Sequence, residues 1–153
     1  MSSETQSPKK SRRRAPKKPS KRITLNLKGM ANVRHRCRCL PGHTVGRPYL
    51  PSDYRKWRAE AVREIQGLDL GKPFAGPCQV TVVFTTAKPR TTKRRYPLPD
   101  VDNLQKSLFD AMTEAGCVWE DDRQCVKLVA EKAWGEADQI EAAITELEPS
   151  YHV

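Results

Sequence analysis

The residues best suited to chemistry lie between Pro99 and Asp122. Asp100 and Asp102 are two apart, Lys106 follows four residues after Asp102, and Glu120-Asp121-Asp122 closes the run. In extended chain, residues two apart point the same way. Like charges so close repel unless a cation lies between them. Mg²⁺ takes a few carboxylates together with waters and phosphate oxygens. Taken alone, Asp102 reads better as a helix cap, held by free backbone N–H groups and the positive end of the helix dipole. Lys106 alone reads as its i, i+4 ion-pair partner, worth ~0.3 kcal/mol. The set as a whole points instead to a divalent metal placed against a phosphodiester.

These residues need a helix to carry them, and the sequence supplies one. Leu104, Leu108, Ala111, Met112 and Ala115 form one apolar stripe at 100° per residue. Asp102, Lys106 and Phe109 fall on the opposite side, which makes Phe109 either a dimer or DNA contact or part of a second apolar stripe. Pro77 to Thr86 alternates as a half-buried strand, with Cys78, Val80, Val82 and Phe84 on one face. Between strand and helix lies a basic, proline-flanked loop holding Lys88, Arg90, Lys93, Arg94 and Arg95.

Upstream, Ile23, Leu25 and Leu27 mark a first strand, followed by a long loop over 28–48 with Lys28, Arg34, Arg36, Arg38 and Arg47. Pro51-Ser52 opens a helix whose inner face is Tyr54, Trp57, Ala61 and Ile65, closed by Gly67 and Gly71. Two late strands are expected at Val126–Lys132 and Ile140–Leu147. The order predicts one small α/β (α+β) domain, with two main helices against a mixed β-sheet. It spans 23–153. Residues 1–22 are almost free of apolar side chains, which predicts a disordered basic arm. That arm would add non-specific affinity for nucleic acid or serve only as a solubilising tail.

Charge is divided along the chain. The net charge is +8 over residues 1–22, +11 over 23–99 and −9 over 100–153, which together give the overall +10. A basic front half beside an acidic back half suits a protein that grips phosphate and sets metal against it. No apolar run is long enough for a membrane span, and the N-terminal residues lack the apolar core of a secretory signal, so neither a membrane partner nor export is expected. Five cysteines, an odd number, fit reduced thiols in the cytoplasm. Lys9-Lys10 and Arg12-Arg13-Arg14 would act as a nuclear signal only in a eukaryotic host.

The segments PDVDNLQKSLFDAMTEAG (99–116) and VWEDDRQCVKL (118–128) together resemble the RusA family of Holliday junction resolvases. The resemblance is close over some thirty residues and weaker over most of 23–147. It implies a homodimeric, Mg²⁺-dependent endodeoxyribonuclease, with Mn²⁺ able to substitute, that acts on branched DNA and four-way junctions and works beside the nucleoid. By position it implies Asp100, Asp102 and Asp122 as metal ligands and Lys106 as the lysine required for cleavage. The stretch after Gly116 is one residue longer than in the family pattern, which leaves Asp121 as the alternative third ligand. Asn103 would orient a carboxylate or a metal-bound water. The loop Lys88–Arg95, with Arg34 and Arg36, would contact the DNA backbone. The same residues would also serve a nuclease for flaps or forks, and a catalytically silent DNA-binding member of the fold is the reading from another class. The segment GMANVRHRCRC departs from the family's Pro- and Ser-rich turn. His35, Cys37, Cys39 and His43 invite a zinc reading, but Cys-x-Cys is tighter than structural zinc uses, so zinc is not expected.

Overall fold

A computed structural model of the chain describes residues 18–33, 36–38, 41–42 and 47–148. Most of the basic arm, Arg34, His35, Cys39 and His43 lie outside the described residues. The elements in order are β1 (Ser20–Leu25), β2 (Arg36–Arg38), β3 (Arg47–Tyr49), α1 (Ser52–Gln66), β4 (Cys78–Ala87) and α2 (Val101–Ala115). A 3₁₀ turn (Asp122–Gln124), β5 (Cys125–Gly135) and β6 (Gln139–Glu146) follow. The main sheet has the order β1-β6-β4-β5, and β2 pairs with β3 in a separate two-stranded ladder. β4 pairs antiparallel with β6 and parallel with β5, so the sheet is mixed, as the sequence predicts.

Period-2 alternation in β4 sends Cys78, Val80, Val82, Phe84 and Thr86 to one face, where all are buried. Both helices lay their apolar stripes on that face. Tyr54, Trp57, Ala61 and Ile65 of α1 are buried, and so are Leu104, Leu108, Ala111, Met112 and Ala115 of α2. Gly116 ends α2 in the left-handed region (φ 71°), a conformation glycine adopts without steric cost.

Three details decide or correct the sequence reading. Phe109 is core: it is buried and meets Trp119 edge-to-face, with ring centroids 4.9 Å apart. Of its two readings, the second apolar stripe is the one the structure bears out, because Trp119 comes from beyond the helix and covers that flank. The loop expected over 28–48 contains the β2–β3 ladder, whose short basic strands carry no apolar alternation. β1 begins at Ser20 rather than Ile23. Its Lys21 is buried, with Nζ donating to the carbonyls of Lys72 and Cys117 at 2.6 Å each and lying 4.5 Å from the Phe74 ring. Burial pushes its pKa down, while nearby Cys117, Cys78 and Glu146 pull it back up. No helix among the described residues is long and apolar enough to cross a membrane.

Candidate active site

Asp100 occupies the N-cap position of α2 in extended geometry (φ −67°, ψ 143°), and its side chain makes no cap hydrogen bond. Asp102, expected as a cap, lies inside the first turn. Both are exposed at the end of the helix where the free N–H groups and the dipole favour negative charge. Lys106 is exposed one turn further along the same face, and Asp110 follows one turn beyond it. The Asn103 backbone carbonyl accepts the Asn32 N–H at 3.0 Å and the Ser107 hydroxyl at 3.3 Å.

The basic loop runs directly into this helix end. Lys88, Arg90, Lys93, Arg94 and Arg95 are all exposed. The loop is tied at both ends to β5. The Lys88 N–H donates to the Gly135 carbonyl at 3.0 Å, and Trp134 Nε1 donates to the Arg94 carbonyl at 3.1 Å. Arg36 contributes backbone to β2 opposite Tyr49.

The acidic turn is built differently. Asp121 caps the 3₁₀ turn: its Oδ1 accepts from the Arg123 N–H and Arg123 Nε, both at 2.8 Å. Those bonds hold the Asp121 carboxyl below the usual carboxylate range. The carboxylate of Asp121 is therefore engaged in the turn, while Asp122 is exposed on it. Of the two neighbours, Asp122 is the better placed to turn outward to a ligand.

Gln124 anchors that turn, a role that the sequence reading did not assign. Its Oε1 accepts the N–H groups of Glu120 (2.8 Å) and Asp121 (3.0 Å). Its Nε2 donates to the carbonyls of Phe74 (2.8 Å) and Gly76 (2.9 Å). All four bonds go to backbone, and they tie the acidic turn to the lead-in of β4. The only sequence signal was a glutamine two residues after an acidic pair. Gln124→Ala leaves those groups unpartnered and is expected to lower the unfolding free energy by roughly 2–4 kcal/mol at ~1 kcal/mol per bond. An unchanged denaturant midpoint would contradict the anchor.

The two acidic groups do not meet within one chain. Lys132 Nζ donates to the Pro99 carbonyl at 2.9 Å, which fixes the residue before Asp100 beside the late part of β5. The acidic turn immediately precedes Cys125, where β5 begins. From Cys125 to Lys132 the strand rises about 23 Å. Among the described residues, no group of three or more His, Cys, Asp or Glu is placed to hold a metal.

A sequence profile described as "Endodeoxyribonuclease RusA" matches residues 26–145. The chain belongs to the RusA family. It is 33% identical over 106 residues to the crossover junction endodeoxyribonuclease rusA of Enterobacteria phage 82, an alignment covering 69% of this chain and 82% of that protein. The RusA proteins of Shigella sonnei strain Ss046 and Escherichia coli strain K12 are 32% identical over the same coverage. The RusA match begins just after β1, runs to the penultimate residue of β6, and contains the exposed carboxylates at the start of α2, the basic loop and the acidic turn.

Proposed function

We propose that this protein is a structure-selective endodeoxyribonuclease that resolves Holliday junctions by paired, metal-dependent phosphodiester hydrolysis. RusA family membership carries this reading. The exposed carboxylates and lysine at the start of α2, reached through a cationic loop, support it.

The donor set suits a hard divalent cation. Asp100 and Asp102 offer only oxygen, are solvent-exposed, and leave room for the waters that Mg²⁺ retains. We assign them, with Asp122, as the residues that hold Mg²⁺, with Mn²⁺ able to substitute. When bound there, such an ion would polarise the phosphate and lower the pKa of an attacking water. Lys106, one turn from Asp102, supplies positive charge against the charge that builds on the phosphoryl oxygens. Asn103 orients a carboxylate or a water. Lys88, Arg90, Lys93, Arg94 and Arg95 hold the DNA backbone, and Arg34 and Arg36 are assigned to the same role from the sequence. Cys78, Cys117 and Cys125 are free thiols. Burial pushes the Cys78 pKa up to about 11, which leaves it unreactive.

A homodimer accounts for the separation of the acidic groups. β5 ends the sheet, and no strand among the described residues lies beside its outer edge. It also exposes Val126 (44%), Leu128 (40%) and Val129 (40%), where a covered strand would bury them. Antiparallel pairing with a second copy about Val129 puts Lys127 opposite Glu131 on both sides of the axis, a self-complementary match. It also runs the second copy's acidic turn alongside the end of β5 that holds Pro99. In this arrangement each metal site takes Asp100 and Asp102 from one chain and Asp122 from the other.

Synthetic four-way junctions, flaps and linear duplexes incubated with the full chain and Mg²⁺ test the reading. Symmetric paired nicks on the junction, absent from linear duplex, are expected. Equal cutting of flaps would favour the flap and fork reading instead.

A further inference from the structure

Residues 26–33, which follow β1, have no regular structure, yet they are held at three points. The Lys28 carbonyl accepts from Trp57 Nε1 at 2.8 Å. At Gly29 a Cβ would sit 3.0 Å from Leu104 Cδ2 and 3.1 Å from Phe84 Cδ1, so the backbone lies directly on α2 and the sheet. Asn32 then makes three bonds. Its N–H donates to the Asn103 carbonyl at 3.0 Å, and its Nδ2 donates to Asp110 Oδ2 (3.1 Å) and to the Tyr54 hydroxyl (3.2 Å). Tyr54 is buried on α1, so one side chain joins the strap to both helices.

The chain beyond this point is strongly basic. Val33 and Leu50 flank the segment that contains β2 and β3, and both line a cleft of about 340 Å³ shared with Lys106 and Asp110. Between them lie Arg34, Arg36, Arg38 and Arg47. The two ends of the arginine-bearing segment, Val33 and Leu50, therefore lie at the α2 face that carries Lys106 and Asp110, one turn beyond Asp102. A carboxylate at Asp110 would repel a phosphate arriving there. Holding the Asn32 amide gives it a purpose, because a charged acceptor strengthens that bond.

We propose that Asn32 is a positioning residue for DNA. Its bridge to Asn103, Asp110 and Tyr54 holds the basic hairpin in register with the Asp102–Lys106 face, so that the backbone gripped by the hairpin continues onto the phosphate to be cut. Asparagine suits the position: its two side-chain N–H groups reach two acceptors and bring no charge of their own. The proposal rests on the nuclease reading above and adds a residue to it.

A reciprocal exchange tests it in the full-length protein. N32D sets two carboxylates against each other, whereas N32D together with D110N restores an amide–carboxylate pair in the opposite sense. Junction binding is measured without metal across a salt series, and cleavage is measured with Mg²⁺. N32D is expected to flatten the log K against log salt slope by roughly 0.9 for each lost phosphate contact, up to about 2.7 if Arg36, Arg38 and Arg47 all disengage. The junction KM should rise about tenfold or more with a smaller change in kcat. The double exchange should restore both.

A folded N32D with wild-type slope and KM overturns the proposal. So does a double exchange that restores the melting temperature but not the slope, which would make the clamp purely structural. If N32D does not fold, Tyr54→Phe removes one acceptor and should give an intermediate slope; a wild-type slope there overturns the proposal as well. The wild-type protein tested in parallel keeps the two readings apart. If it cuts no junction, the nuclease reading fails, while the metal-free slopes still judge the clamp.

Discussion

The Asp102→Asn protein should bind a four-way junction as tightly as the wild type and cleave it about a thousandfold more slowly or worse. The exchange keeps the shape but turns one acceptor oxygen into a donor NH₂ and removes the negative charge of a proposed metal ligand, so the metal-derived stabilisation of the transition state should be lost. A thousandfold is about 4 kcal/mol, within the several kcal/mol that a bound metal contributes. Binding should survive because its proposed energy comes from cations elsewhere, above all the exposed loop at Lys88 to Arg95. The fold also survives. Asp102 is exposed and makes no cap bond, so the loss is limited to its favourable place near the helix dipole, about 0.3–1 kcal/mol. Gel shifts without metal and single-turnover cleavage with Mg²⁺ separate the two effects. Cleavage at the wild-type rate would remove Asp102 from the site.

The two helices and β4 were legible because one periodic signal decides each of them. The stripe from Leu104 to Ala115 and the alternation from Cys78 to Phe84 need no knowledge of the partner, only that one face is buried. What sequence could not give were features that depend on residues far apart. Phe109 is core because Trp119 folds back onto it. Gln124 matters because its amide reaches Phe74 and Gly76, some fifty residues away. Asn32 matters because Tyr54 and Asp110 converge on it. The carboxylates were legible as a motif, and the family resemblance named them as a set, but spacing carries no distance. The Lys132–Pro99 bond and the start of β5 after the acidic turn are what separate Asp100 from Asp122 within one chain.

That separation gives the second large effect its form. Neither D102N nor D122N should cleave junctions alone, yet a mixture of the two, allowed to exchange subunits, should recover activity. In the mixed dimer one site would combine both substitutions and the other none, because the proposed site draws Asp102 from one chain and Asp122 from its partner. Random exchange would leave about a quarter of the wild-type sites intact. Each mixed dimer would hold a single working site, so an extruded cruciform in a supercoiled plasmid should be nicked to an open circle rather than cut to a linear. If Asp100, Asp102 and Asp122 of one chain instead shared a metal, every site in the mixture would carry one substitution and nothing would be recovered. Subunits with tags of two sizes confirm that mixed dimers form, so an inactive mixture that contains them would refute the shared site. The exposed Val126, Leu128 and Val129 on the sheet edge would then need another partner.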